Sequence, residues 1–356
     1  MASLSEDYLK SLKFSNDQGA TLRAIGEHRG RQELFMKQAP EALESLKQVA
    51  MIESSESSNR LEGITASHKK IEALVLKKAM PGNRSEQEIA GYRDALAQIH
   101  ESGPHMEFSN NVILQLHAML YRYMPTDGGR WKMADNEIVE KKPDGTIARI
   151  RFKPTPAVST PFAMEQLTDD YKYAIFNLQQ EPLIIVPLAI LDFLCVHPFT
   201  DGNGRLARLL TLLLLYHFDY QVGKYISLER IFEESKESYY ETLEYCSQGW
   251  HDNKHDVLPW LSYFWGVLIR AYKEFEKRVG TIRTGRGSKT DQIIEAVGRR
   301  IKPFSISDIE SDCPGVSRDM VRVVLNKLRD EGRLTLQGRG RAAKWKKKEN
   351  RGQVSA

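Results

Sequence analysis

The sequence has few cysteines: Cys195, Cys246 and Cys313 are the three among its 356 residues. Because their number is odd and their spacing is wide, they predict neither a disulfide framework nor a cysteine-based zinc site. The longest apolar stretches, residues 183–191 and 209–216, fall well short of the roughly 20 residues that span a bilayer. The N-terminal segment also lacks the apolar core of a secretory signal. These absences disfavour secreted and membrane-spanning proteins and predict a cytoplasmic protein with no membrane partner.

Charge is distributed unevenly along the chain. Residues 281–348 contain seventeen Lys and Arg against eight Asp and Glu, a net charge of +9, whereas residues 1–280 carry −5. The hydrophobic content of 41% and the charged content of 28% are those of globular proteins, so extensive disorder is not expected. A chain of this length predicts about two domains. The basic C-terminal part suggests that one of them has a nucleic-acid partner.

Apolar periodicity predicts a mainly α-helical protein. Residues 1–40 are polar and weakly periodic, which indicates a surface arm. The first strong helical pattern begins near Glu41 and should end at Gly63, because glycine is typical of the position that follows a helix. Residues 136–152 contain a Pro-Asp-Gly turn between apolar segments and predict a β-hairpin. Further helices are expected over residues 67–79, 85–101, 109–122, 183–196, 233–248 and 257–278.

A polar loop interrupts the two strongest apolar helical stretches. In the segment HPFTDGNGRLAR, residues 197–208, Gly202 and Gly204 allow successive backbone N–H groups to form an anion-binding nest. The next helix is expected to begin near Arg205, which puts its positive dipole end at the same point. This backbone pattern predicts a phosphate site, although an ordinary glycine-rich turn between helices fits it equally well.

The side chains of the same segment suit phosphoryl or nucleotidyl transfer. Asp201 supplies a hard oxygen ligand for Mg²⁺, and His197 supplies a base that titrates near neutral pH. Arg205 and Arg208 lie three positions apart on one helical face and add two charges suited to phosphate. A base, a metal ligand and two phosphate-binding cations therefore fall within twelve residues.

Residues 197–208 resemble the signature of the Fic family, His-Pro-Phe-x-Asp/Glu-Gly-Asn-Gly-Arg-x-x-Arg, at every specified position. The resemblance covers about residues 40–278 and includes the upstream hairpin at 136–152. It implies a Fic-type helical bundle with a β-hairpin flap. It also implies a protein adenylyltransferase, which moves AMP from ATP to a hydroxyl side chain (Ser, Thr or Tyr) of a target protein, or onto itself, and releases pyrophosphate.

The resemblance also implies a role for each motif residue. His197 is expected to be the catalytic base, and Asp201 the ligand of Mg²⁺ or Mn²⁺. Asn203 is expected at the α-phosphate, the two arginines at the β- and γ-phosphates, and the tyrosine pair near the adenosine. The hairpin is expected to bind a target segment in extended conformation by strand addition. The expected ATP-binding residues are Gly202, Asn203, Gly204, Arg205, Leu206, Ala207, Arg208, Tyr239, Tyr240, Ile138 and Val139.

A second motif resembles a built-in inhibitor of this family. The segment SNRLEG contains Ser58, Glu62 and Gly63 in the spacing of the family's inhibitory motif, at the end of the helix expected over about 41–63. A carboxylate paired with Arg208 would occupy the charge meant for the γ-phosphate. The alternative is that Glu62 is an ordinary solvated residue at a helix end.

The C-terminal part resembles a winged helix, with three short helices followed by a basic strand pair. Its recognition-type helix is expected over Ser317–Glu331. The residues expected to meet DNA phosphates are Arg318, Arg322, Arg339, Arg341 and Lys344; a protein-contact role fits the module equally well. The expected divisions of the chain are an N-terminal helical region (1–110), a Fic catalytic core (111–280), a linker (281–290), the winged helix (291–348) and a tail (349–356).

Two other functions fit the same residues. One is a de-AMPylating hydrolase that uses the same site, and the other is a DNA-binding regulator whose Fic core senses a nucleotide. A homodimer is one possible assembly. The i, i+4 pattern of His251 and His255 suggests a metal site only weakly, because a solvated helix start explains the same polar turn.

Overall fold

The computed structural model describes residues 3–38, 40–141, 146–283, 289–300, 303–313, 315–338 and 343–348. Helices dominate these residues, which confirms the expected fold class. The helices are α1 (Glu6–Ser11), α2 (Asn16–Gln38), α3 (Pro40–Leu61), α4 (His68–Lys77), α5 (Arg84–Ser102), α6 (Asn110–Leu120), α7 (Thr160–Lys172), α8 (Pro182–Val196), α9 (Asn203–Tyr216), α10 (Leu228–Glu234), α11 (Lys236–Ser247), α12 (Leu258–Arg283), α13 (Lys289–Arg299), α14 (Ile306–Asp312) and α15 (Arg318–Asp330). The strands are β1 (Ile138–Lys141), β2 (Ile147–Phe152), β3 (Leu334–Gln337) and β4 (Lys344–Lys347).

The chain divides into two compact units. The first comprises Met1–Leu34 and Lys47–Phe275, and the second comprises Phe35–Leu46 and Glu276–Ala356. Among the described residues, no helix combines the length and the apolarity needed to cross a bilayer.

The core of the first unit is built on α8 and α9, which are buried on nearly every side. A helix that is apolar all round belongs in an interior, so the loop that joins α8 to α9 starts from the centre of the unit. Pro187 lies inside α8 and cannot donate a backbone hydrogen bond to Leu183. The indole of Trp265 donates to the Leu183 carbonyl instead, at 2.8 Å, which satisfies a buried acceptor.

The expectation of a polar surface arm over residues 1–40 was wrong. Leu4, Leu9 and Ile25 are buried, and α2 runs for 23 residues. The expectation of a solvated turn at His255 was also wrong, since this residue is 5% exposed and its ring stacks on Tyr8 at 4.5 Å. The apolar residues of the N-terminal segment are too widely spaced to give a visible period, although Leu4, Leu9 and Ile25 are buried.

The predicted helix ends agree with the structure within a few residues, with two exceptions. The helix expected over 233–248 is divided at Ser235 into α10 and α11, and the Ser235 hydroxyl bonds to the Ile231 carbonyl at 2.8 Å. The linker expected from residue 281 begins later, because α12 continues to Arg283. The rest of that linker, residues 284–288, lies outside the described residues, as does the expected tail.

The hairpin forms as an antiparallel pair of β1 and β2, with irregular register beside Arg151. Arg149 and Arg151 both contact Glu140 across the pair and Glu244 on α11, which attaches the hairpin to the helical body. In the described part of the chain, β1 pairs with β2 alone. The expected turn at 143–145 lies outside the described residues.

The second unit packs α13, α14 and α15 against the antiparallel pair of β3 and β4. Its core includes Val321, Leu325 and Trp345, and Phe304 adds a bridge to Trp345. Ser305 and Asp308 form a capping box at the start of α14, which satisfies backbone N–H groups that the helix cannot pair itself.

Candidate functional site

The loop between α8 and α9 has two residues in left-handed conformation, His197 with φ of 49° and Gly202 with φ of 83°. Between them, the fully buried Phe199 stacks on His117 with 3.7 Å between ring centroids. His117 also donates from Nε2 to the Asp201 carbonyl at 3.0 Å. The loop is therefore anchored to α6 while both of its ends turn sharply.

Asn203 stabilises this loop rather than facing outward. Its Oδ1 accepts from the Phe199 N–H at 2.9 Å, and its Nδ2 donates to the Phe199 carbonyl at 2.7 Å. The residue is 2% exposed. The expected contact of Asn203 with an α-phosphate therefore has to come from its backbone N–H group.

A carboxylate of the same chain lies against the first turn of α9. The first N–H groups of a helix have no partner within the helix and carry its positive dipole end. A Cβ atom added to Gly204 would lie 2.3 Å from Oε1 of Glu62. The Glu62 carboxylate thus lies directly against the first turn of α9, where only glycine leaves room for it.

The same carboxylate forms an ion pair with Arg208. Arg208 Nη2 lies 2.7 Å from Glu62 Oε1 and also donates to the Ser58 carbonyl at 2.8 Å. Arg208 Nε donates to the Ser58 hydroxyl at 2.9 Å. Burial alone would lower the pKa of Arg208, but the adjacent Glu62 raises it above its ordinary value. The structure therefore brings together Ser58, Glu62 and Arg208, as their motifs predict.

Gly63 ends the segment that presents Glu62. Helix α3 stops at Leu61, and Gly63 adopts a φ of 79°, the left-handed conformation that glycine provides at low cost. The Gly63 N–H donates to the Arg60 carbonyl at 2.9 Å, and the Glu62 N–H donates to the Asn59 carbonyl at 3.0 Å. These bonds close the last turn and set the direction of the Glu62 side chain.

The other motif arginine has a different environment. Arg205 is 1% exposed, its Nη1 pairs with Glu88 at 2.7 Å, and its Nη2 lies 3.5 Å from Asp201 Oδ2. Tyr121 donates to the same Asp201 oxygen at 3.1 Å. The resemblance implies a phosphate contact for Arg205, whereas here its guanidinium is directed to two carboxylates. Arg205 therefore orients Asp201 in this state.

Asp201 can serve as a ligand for a divalent cation. Its side chain is 64% exposed, so the carboxylate is accessible from solvent. Among the described residues, no group of three or more His, Cys, Asp or Glu is arranged to bind a metal ion. A single carboxylate fits Mg²⁺ that arrives with a triphosphate, because Mg²⁺ is commonly bound by one or two carboxylates together with substrate phosphates.

His197 is neutral at physiological pH. Burial, with a smaller contribution from Lys132, lowers its pKa to about 4 against the opposing effects of the Leu194 carbonyl, Glu62 and Asp201. Nδ1 lies 3.3 Å from the Leu194 carbonyl, which assigns the proton to Nδ1 and the lone pair to Nε2. A neutral imidazole with a free Nε2 is the form that a general base requires.

The remaining predicted residues lie in three places: in α9, beside the end of α3 and in β1. Leu206 and Ala207 are fully buried in α9, so their side chains belong to the core. Tyr240 donates to the Leu61 carbonyl at 3.3 Å, beside the segment that presents Glu62, and Tyr239 packs against it with 5.1 Å between ring centroids. Ile138 and Val139 are half-buried in β1.

Four residues near the motif have no signal in the sequence. Glu88, His117, Tyr121 and Lys132 support Arg205, Asp201 and the loop from α5, α6 and the segment before β1. Each lies at least 64 positions from its partner, and none belongs to a recognisable motif. Long-range pairs of this kind can be identified only from the structure.

The part of the chain that contains the α8–α9 loop is similar to a known protein family. Residues 107–215 match the Fic/DOC family. The chain is 27% identical to protein adenylyltransferase fic-1 of Caenorhabditis elegans over 245 residues, which cover 66% of this chain and 42% of that protein. It is also 27% identical to fic-1 of Caenorhabditis briggsae over 217 residues, 59% of this chain and 37% of that one. The matched part thus spans less than half the length of these curated relatives.

Solved structures show the same fold. A Fic family protein from Desulfovibrio desulfuricans G20 aligns with a TM-score of 0.62 at 20% identity, over 96% of this chain and 98% of that one. A Fic domain containing signaling protein from Bacteroides thetaiotaomicron VPI-5482 aligns with a TM-score of 0.60 at 21% identity, over 72% and 97%.

Proposed function

We propose that the protein transfers AMP from ATP to a hydroxyl side chain of a protein, because residues 107–215 match the Fic/DOC family. The observation that carries this proposal is the α8–α9 loop, where a neutral His197 precedes an anion-binding helix N-terminus. The names of the two nematode relatives agree with this reaction class.

His197 is the base of the proposed reaction. Its Nε2 accepts the proton of the target hydroxyl as the hydroxyl oxygen attacks the α-phosphorus of ATP. The bond between the α-phosphorus and the bridging oxygen breaks, and pyrophosphate leaves with the electron pair. The products are an AMP phosphoester on the target and pyrophosphate, and the proton remains on His197 until solvent removes it.

The first turn of α9 binds the phosphates in this proposal. Backbone N–H groups of Asn203 and Gly204 are available there, and Arg208 supplies a fixed positive charge. Asp201 would hold a divalent cation, which neutralises charge on the leaving pyrophosphate when it is bound. Tyr239 and Tyr240 remain the proposed adenosine contacts. They lie next to the end of α3.

The described state is an inhibited one in this proposal. The Glu62 carboxylate lies against the first turn of α9 and pairs with Arg208, so it takes the space and the charge that the triphosphate needs. Two negative groups cannot share such a site without strong repulsion. ATP therefore binds in an unproductive pose, or only after Glu62 has moved.

The hairpin is the proposed site for the target. A strand added to β1 would find backbone groups that β2 does not use. The outer side of β2 is less accessible, because Gln248 Nε2 donates to the Arg151 carbonyl at 3.3 Å. This contact favours β1 as the edge that binds an extended target segment.

A labelling experiment tests the reaction class. The protein with ATP and Mg²⁺ should incorporate label from the α-phosphate into protein and none from the γ-phosphate. Label from the γ-phosphate alone would indicate a kinase and contradict the proposal. Loss of AMP from a pre-modified protein, without any incorporation, would favour the de-AMPylating hydrolase instead.

Removal of the cation or of its ligand should abolish transfer. We expect Asp201→Asn to lower the transfer rate about 100-fold and to raise the Mg²⁺ concentration needed for half-maximal activity, because charge neutralisation by a metal contributes several kcal/mol. Asp127→Asn is the matched control, since Asp127 is 83% exposed. Full activity in excess EDTA would contradict this role.

We further propose that the second unit binds DNA through its strand pair rather than through α15. The exposed Arg318 and Arg322 of α15 already pair with Glu310 at 2.6 Å and Asp319 at 3.3 Å. By contrast, residues 333–348 contain no acidic residue. Lys344 and Lys346 are exposed, on the strand face opposite the buried Trp345. Arg339 and Arg341, which were expected to meet phosphates, lie outside the described residues.

Salt dependence tests this proposal. If the strand pair contacts phosphates, the logarithm of DNA affinity should fall linearly with the logarithm of salt concentration. Lys344→Gln combined with Lys346→Gln should reduce that slope by about two, whereas Arg318→Gln combined with Arg322→Gln should change it less. Undetectable binding to mixed duplexes at low salt would favour the protein-contact role.

A further inference from the structure

Lys132 is a buried lysine beside His197 to which neither motif assigns a role. It is 3% exposed, and it belongs to the segment that precedes β1. Its backbone N–H donates to the Pro198 carbonyl at 2.9 Å. Its Nζ donates to the Val196 carbonyl at 3.1 Å and to Asn136 Oδ1 at 2.8 Å.

These bonds enclose His197 from both sides. Val196 and Pro198 are its two chain neighbours, so one lysine binds the carbonyl before it and the carbonyl after it. Asn136 extends the attachment, since its Nδ2 donates to the Phe199 carbonyl at 3.0 Å. A residue with a φ of 49° and a full side chain needs such support, because the left-handed region is unfavourable for residues other than glycine.

The ammonium group also acts on the imidazole. Burial and the positive charge of Lys132 both lower the pKa of His197, while the Leu194 carbonyl, Glu62 and Asp201 raise it. Burial lowers the pKa of Lys132 itself to about 8, against the opposing effect of Asp135. At neutral pH the lysine is therefore mostly charged, and its charge opposes protonation of His197.

We propose that Lys132 is the positioning residue of His197: its Nζ bonds fix the left-handed backbone, and its ammonium charge acts on the imidazole whose Nε2 accepts a proton. The value of this role rests on the proposed AMP transfer, in which His197 is the base. The alternative is a purely structural lysine, whose bonds hold the segment before β1 against the loop. The two differ in their dependence on charge: a structural lysine changes the protonation of His197 only through its burial, whereas the ammonium group of the proposal acts on it directly.

The test is an NMR titration of the His197 ring, with its signal assigned by its loss in His197→Ala. Lys132→Met keeps the length of the side chain and removes the charge and the two Nζ bonds. We expect the titration midpoint of His197 to rise and to stay below the ordinary histidine value near 6.5, because burial, the larger cause of its low pKa, remains. Lys132→Arg, which keeps the charge, should titrate like the parent protein. Lys172→Met, the same change at a residue of α7, should leave the midpoint unchanged.

A second variant keeps the test decisive if Lys132→Met does not fold. Asn136→Asp retains Lys132 and places a negative charge at a position 2.8 Å from its Nζ, so it should also raise the midpoint of His197. Unchanged midpoints in the folded variants, or a Lys132→Arg protein that titrates like Lys132→Met, would overturn the proposal.

Kinetics supply the link to function. In a Glu62→Gly background, Lys132→Met should lower kcat roughly 10–100-fold with little change in the KM for ATP, because a misplaced base costs rate rather than nucleotide binding. Lys132→Arg should restore part of kcat. The titration requires neither ATP nor a target, so failure of the proposed AMP transfer would appear in the kinetics alone and failure of the Lys132 role in the titration.

Discussion

His197→Ala should lower the rate of AMP transfer by roughly 10²–10⁴-fold, the usual effect of removing a general base. The phosphate-binding groups of α9 do not depend on the imidazole, so calorimetry should find ATP affinity nearly unchanged. Stability should also change little, because His197 contributes one weak bond, at 3.3 Å, to the Leu194 carbonyl. His105→Ala, at an exposed histidine, is the matched control and should retain full activity.

The pH profile gives an independent check on the same residue. A base acts in its unprotonated form, and the pKa of His197 is lowered to about 4 by burial. Activity assigned to this group should therefore persist below pH 6 and decline only as the pH approaches 4. An acidic limb centred near 6.5 would mean that an ordinary, solvated histidine is the base. Retained transfer in His197→Ala would remove His197 from the mechanism altogether.

Glu62→Gly should raise the rate of AMP transfer, by roughly 5–150-fold if release of the ion pair is coupled to ATP binding with a typical energy. The substitution empties the α9 N-terminus and frees Arg208 for the γ-phosphate. The substitution leaves the guanidinium of Arg208, whose side chain is 2% exposed, without its carboxylate partner. Its bonds to Ser58 remain. We expect the free energy of unfolding to fall by about 1–3 kcal/mol without nucleotide and to recover when ATP binds.

Two further variants distinguish charge from backbone effects. Glu62→Gln keeps the shape of the side chain and should also activate, since inhibition is attributed to the carboxylate. Glu56→Gln is the matched control, because Glu56 lies on α3, the helix that precedes Glu62, and pairs with Arg60 at 2.8 Å rather than with Arg208. Equal or lower transfer in both Glu62 variants than in wild type, at similar melting temperature, would mean that Glu62 does not inhibit.

Local features of the site could be predicted from the sequence. Consecutive residues 197–208 specify a sharp loop and a helix start, because the glycines, the acid and the arginines act within one turn of each other. Gly63 similarly marks the end of α3 through a conformational preference of its own. The pairing of Glu62 with Arg208 could be expected from two motifs, although they lie 146 positions apart.

The supporting contacts could not be predicted, because they join residues without local patterns. Glu88 appears as one more acid on a polar helix, yet it is the partner of Arg205 at 2.7 Å. Lys132 appears as one more surface lysine, yet it is buried beside His197. The N-terminal segment was misassigned for the same reason, since Leu4 and Leu9 give no period and become core residues only through long-range packing.

The central claim, transfer of AMP by His197 under restraint by Glu62, is tested most directly by incorporation of α-phosphate label per mole of protein. Wild type, Glu62→Gly and Glu62→Gly/His197→Ala should be compared with ATP and Mg²⁺, each with and without added cell extract as a source of targets. The account predicts low incorporation for wild type, the highest for Glu62→Gly and none for the double variant. Incorporation that is absent from Glu62→Gly, or equal in Glu62→Gly and the double variant, would contradict it.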